Sequence, residues 1–123
     1  MKIDDRIYDM TTEDLRNKLV GKTIASVDED RNVITLTDGT ELRFIDTQEC
    51  CAWFSASLSE GNLVDNAVTD VVVQEWHGTE EVPKAWTLRV LAADKNLVDV
   101  DISGDSTTGY YCRSINLTVV APE

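Results

Sequence analysis

Three cysteines, one histidine and a pair of alternating aspartates are the residues of this 123-residue chain whose types could do chemistry. Cys50 and Cys51 are adjacent within Gln48-Glu49-Cys50-Cys51-Ala52-Trp53-Phe54, and Cys112 closes the distant segment Gly109-Tyr110-Tyr111-Cys112. Joined by His77 they would make a metal or redox centre. Their spacing argues otherwise, because neighbours on a strand point to opposite faces and structural zinc sites separate their ligands by two residues or more. A vicinal disulfide demands unusual peptide geometry, and a reducing cytosol opposes it. Buried structural thiols are the expectation, with no metal ligand and no cofactor.

His77, the one histidine, stands between Trp76 and Gly78 at the start of an expected loop. A hydrolytic triad would use it, but Ser55, Ser57 and Ser59 lack the Gly-x-Ser-x-Gly context of a nucleophile elbow. Asp99, Asp101 and Asp105, with Gly104 between them, loosely suggest an oxygen-ligand calcium loop. Val100 and Ile102 instead carry a strand pattern through it, so a solvated strand face is the reading. No catalytic residue is assigned. A small hydrolytic or metal-dependent enzyme stays an alternative, because residues far apart in sequence can meet in a barrel.

The elements that must position these residues follow from the hydrophobic pattern. Thr11 and Asp14 form a capping box with Met10 placed to staple against Leu15, and Gly21 ends the helix, bounded here at residues 11–20. Leu15 and Leu19 give that helix a narrow apolar stripe, fit to lie on a sheet as a lid. Residues 1–10 are read as an N-terminal segment and 21–120 as a β-rich body. Within it, β-branched alternation marks strands at 23–27 and 33–37, and Asp38-Gly39 marks a two-residue hairpin turn into 40–44.

Residues 50–58 are read as a strand, 68–76 as a central strand, 77–84 as an exposed loop, and 86–92, 97–103 and 110–120 as a closing meander with a turn at 94–96. On the 97–103 strand Val98, Val100 and Ile102 face one way and Asp99, Asp101 and Ser103 the other. The fold class is α+β, mainly β: a single domain with a twisted antiparallel sheet, partly closed as a barrel or folded over itself, and one N-terminal helix.

Composition sets the boundaries of function. A hydrophobic fraction of 42% is that of a folded domain, so the excess of 23 acidic over 11 basic residues is not the mark of disorder. A net charge of −12 repels nucleic acid and anionic membrane, and the basic residues are scattered singly. No direct nucleic-acid or membrane partner is expected. Neither a signal-peptide run nor a bilayer-spanning stretch is present in the sequence, which points to the cytoplasm.

The order Ile34-Thr35-Leu36-Thr37-Asp38-Gly39, Gln48-Glu49-Cys50-Cys51, Trp86-Thr87-Leu88, Gly109-Tyr110-Tyr111 resembles a family of small tailed-phage proteins of unknown function. The resemblance spans about residues 21–119. It implies an actinobacteriophage-like origin and a place in the infected host's cytoplasm, and it implies no activity. In that family further acidic residues often follow the Cys pair, whereas Ala52-Trp53-Phe54-Ser55 follow here.

These readings converge on a small acidic accessory protein that binds a host protein. Its expected partner surface is an aromatic anchor with an acidic rim: Trp76, His77, Tyr110, Tyr111, Asp99 and Asp101. Trp53 and Trp86 are expected in the core. The alternative is an acidic mimic of nucleic acid, since aspartates two apart on a strand lie about 6.6 Å apart, roughly two phosphate rises along one DNA strand.

Overall fold

The computed structural model describes residues 2–8, 10–48, 53–63, 67–77, 84–93, 95–105 and 115–122. Strand β1, Lys2–Ile7, is followed by helix α1, Thr12–Leu19. Then come β2 (Ile24–Asp28), β3 (Val33–Leu36), β4 (Glu41–Ile45), β5 (Thr47–Gln48), β6 (Trp53–Glu60), β7 (Asp70–His77), β8 (Lys84–Ala92), β9 (Lys95–Asp105) and β10 (Asn116–Ala121). They make two five-stranded antiparallel sheets, in the orders β1-β10-β4-β3-β2 and β5-β6-β9-β8-β7. The chain is mainly β, and the sheets fold over one another without closing into a barrel.

Alternation puts the apolar residues between the sheets. Ile34, Leu36, Leu42, Phe44, Leu117 and Val119 of the first sheet share one buried cluster with Phe54, Leu58, Leu88, Val90, Val98, Val100 and Ile102 of the second. Each such side chain contributes about 1.5–3 kcal/mol on leaving water, which is the term that holds the layers together. The expected dry and wet sides of β9 are found, with Val98, Val100 and Ile102 fully buried and Asp99, Asp101 and Ser103 on the other face.

The helix forms as its capping signal requires. Thr11 Oγ1 accepts from the Asp14 N–H at 3.1 Å, and Asp14 Oδ2 accepts from the Thr11 N–H at 2.8 Å. Leu15 and Leu19 are fully buried, and Gly21 follows the helix at φ +84°. Two ion pairs fix its place between the layers: Lys18 Nζ lies 3.0 Å from Asp5 of β1, and Arg16 Nε lies 2.8 Å from Asp70 of β7.

Several expectations about the elements are corrected. The N-terminal segment contains a strand, β1, paired with β10 from Lys2↔Ala121 to Ile7↔Leu117. A register break between Ile3 and Asp5 spoils the alternation that would have revealed it. The run at 68–76 is an edge strand, since among the described residues its one neighbour is β8. The turn expected at 94–96 begins one residue earlier: Ala92 pairs with Lys95, and Ala93 has φ +54°, a conformation that alanine does not advertise.

The Asp38-Gly39 turn is a three-residue loop. Leu36 N–H donates to the Thr40 carbonyl at 2.8 Å, and Gly39 N–H donates to Leu36 at 3.0 Å. Only Gly39 takes positive φ, +93°, while Asp38 Oδ1 accepts from the Thr40 N–H at 2.8 Å. That hydrogen bond holds the Asp38 carboxyl below its usual range. A Cβ on Gly39 would also stand 2.9 Å from the Pro122 Cβ, so space and backbone both demand glycine.

Candidate binding surfaces

Asp99 and Asp101 lie on the outer face of the second sheet. Ladder partners place Ser59, Asp99 and Arg89 in one row across β6, β9 and β8, and Ser57, Asp101 and Thr87 in the next. Asp99 Oδ1 is 3.4 Å from Arg89 Nε and accepts from Asn96 Nδ2 at 3.0 Å. Asp101 Oδ1 accepts from Thr87 Oγ1 at 2.6 Å. The two carboxylates therefore stand in unlike surroundings, one paired with a cation and the other with a hydroxyl.

Trp76 and His77 pair with Ala85 and Lys84 at the far end of the β7–β8 ladder, so His77 ends a strand where a loop was expected to begin. Tyr110 and Tyr111, like Cys50, Cys51 and Cys112, lie outside the described residues. The structure thus brings Asp99 and Asp101 together on one face of β9. Among the described residues no three His, Cys, Asp or Glu side chains gather closely enough to hold a metal ion. No helix among them is long and apolar enough to cross a membrane.

An apolar open surface lies on the outer face of the first sheet, among residues with no part in the expected partner surface. Ile3, Arg6 and Tyr8 from the β1 end meet Arg43 and Ile45 of β4 and Thr118 of β10 around a shallow groove of about 350 Å³. Ile3 is 37% exposed, Ile45 43% and Tyr8 71%. Arg43 leans on Glu41, Nη2 to Oε1 at 2.8 Å, whereas Arg6 makes no ion pair among the described residues. An apolar floor with arginines at its rim is thus carved into a strongly acidic body.

One signal for this groove was in the sequence. Phe44 and Ile45 are consecutive on a strand, so only one can face the core, and Phe44 takes that place. Trp53 and Phe54 repeat the arrangement. Phe54 is buried, with its ring 5.7 Å from the Trp86 ring, and Trp53 is turned outward at 38% exposure, which corrects its expected place in the core. Trp86 does pack against the core cluster.

Comparison with known families matches residues 17–117 to DUF7448, a domain of unknown function. The chain belongs to that family. The DUF7448 match takes in β2 through β9 and leaves β1, with Ile3 and Arg6, outside it. No curated protein and no solved structure matched the chain.

Proposed function

We propose that this chain is an accessory protein of phage origin that acts by binding a protein of the host cytoplasm. The observation that carries the reading is the groove on the first sheet. Three large apolar side chains, Ile3, Tyr8 and Ile45, stand together in water beside two arginines. Tyrosine and arginine are the residues that anchor protein interfaces, because each gives a large contact area and a polar end that can still be satisfied. The origin and the compartment rest on the motif resemblance and the acidic composition.

The mimic reading requires a row of free carboxylates. On β9 that row is interrupted, because Arg89 holds Asp99. Affinity capture from host lysate, followed by titration of the captured protein, tests both readings. Tyr8→Ala combined with Ile45→Asp should abolish capture, and affinity should fall little as salt rises. A steep loss with salt, dominated by Asp99→Asn with Asp101→Asn, would replace the groove by mimicry.

A further inference from the structure

The end strand of a sheet offers every second N–H and C=O to a newcomer, and folded proteins usually blunt that offer. Three of the edges here are blunted. β1 is broken in register between Ile3 and Asp5 and carries Lys2 and Arg6, and β2 has five residues and a break between Ile24 and Ser26. β6, beyond its short pairing with β5, is answered by side chains: Ala56 N–H donates to Asp46 Oδ1 at 3.0 Å, the Ala56 carbonyl accepts from Asn32 Nδ2 at 2.9 Å, and Glu60 N–H donates to Glu29 Oε2 at 3.0 Å.

β7 is treated differently. Its eight residues, Asp70–His77, keep an unbroken register with β8 and include neither proline nor lysine. Alternation counted across the sheet from the outward-facing Ala56 leaves the N–H and C=O of the odd-numbered β7 residues pointing away from β8. Arg16 confirms the parity at the first of them, since its Nη2 donates to the Val71 carbonyl at 2.6 Å while Asp70 Oδ1 accepts from the Val71 N–H at 2.8 Å. The hydrogen bonds that the helix makes to this strand among the described residues are at Asp70 and Val71, and Val73 is 48% exposed.

We infer that the β7 edge from Val73 onward takes up an extended, Lys/Arg-bearing segment of another protein as a sixth strand of the second sheet. Charge selects this occupant. A second copy of the chain pairing through a two-fold axis over residues 73–77 would set Glu75 directly opposite its own counterpart, and like charges opposite one another destabilise a sheet. Two bodies of charge −12 also repel. A basic segment meets the opposite situation: the body it approaches carries a net charge of −12, Glu75 lies along the strand, and Arg89, opposite Val72, is already held by Asp99. This surface is distinct from the groove on the first sheet, so either can fail without the other.

The test is selection of random peptides of about ten residues, a strand's length, displayed against the full chain, followed by titration of the recovered peptides. Enriched sequences should alternate Val, Ile or Thr with Lys or Arg. Val73→Pro removes one outward N–H and leaves the ladder to β8 intact, so it should keep the fold and weaken binding about tenfold or more. Val73→Thr, which keeps that N–H, should bind as the parent does. If Val73→Pro does not fold, Val73→Lys keeps the backbone donor and should repel the same basic peptides. Recovery of no peptide, of acidic peptides, or of binders indifferent to Val73→Pro and Val73→Lys overturns the proposal. A dimer of the parent chain that Val73→Pro dissolves also overturns it, by giving the edge to a second copy.

Discussion

The second sheet has two long sides, and they meet the first sheet differently. Along β6 the seam is stitched by side chains reaching from loops of the other layer: Asn32 and Glu29 from the β2–β3 connection and Asp46 from the link between β4 and β5. Along β7 the stitch found among the described residues is α1, through Arg16 at Asp70 and Val71. A buried or half-buried amide without a partner costs about 1–3 kcal/mol, so sealing an edge stabilises it and leaving one open costs little only if water or a partner completes it. The β6 side is therefore read as structure and the β7 side as surface for use.

Substitutions along the two seams should reproduce this difference in stability. The largest effect is expected at Gly104 of β9, where an added Cβ would stand 2.2 Å from the Trp53 carbonyl oxygen and 2.4 Å from the Phe54 ring. Gly104→Val should cost about 3 kcal/mol or more in chemical denaturation, because β6 must move off β9. Asn32→Ala should cost about 2 kcal/mol, since it removes the cap on Ala56 and strains a residue at φ +56°. Asn32→Gly relieves the φ alone, so its cost should be intermediate. An Asn32→Gly variant as stable as the parent would mean that the stitch to β6 carries nothing.

On the β7 side Arg16→Met should lower the melting temperature by less than Asn32→Ala does, because the pair it breaks is half open to water. The same pair has a pH signature. The Arg16 guanidinium, and then the Val71 N–H, hold the Asp70 carboxyl below the ordinary value of 3.8. A carboxyl that ionises more readily in the folded chain stabilises it above the ordinary value, and that support drains away as pH falls through the lower, folded value. Parent and Asp70→Asn melting curves should therefore converge below pH 3.8 and separate above it. The smallest effect is expected for Glu29→Gln, whose exposed side chain still accepts from the Glu60 N–H, and its melting temperature should match the parent's.

Much of the local structure was legible from residue types. Thr11 with Asp14 announces the helix, Asp38 with Gly39 announces a hairpin, and strict alternation sorts the faces of β6 and β9, because each of these signals acts within a few residues. What was not legible depends on partners far along the chain. Nothing near Val71 says that β7 lies at an edge, nothing near Asn32 names Ala56 as its partner, and nothing in Lys2–Ile7 names β10. Of the expected partner surface, Asp99 and Asp101 are placed on a wet face as their alternation required. The groove of Ile3, Tyr8 and Ile45 escaped because three separate segments build it.

The pairing of β1 with β10 has a consequence for how the protein is made. Lys2 lies against Ala121, so β1 leaves the ribosome long before β10, the strand it pairs with. β4 also waits for β10 on one side. The second sheet needs no such delay, since β6, β7, β8 and β9 follow one another and pair among themselves. During synthesis the nascent chain therefore carries a nearly finished layer beside an unfinished one, and the apolar faces of β3 and β4 depend on the last strand to close the first sheet over them.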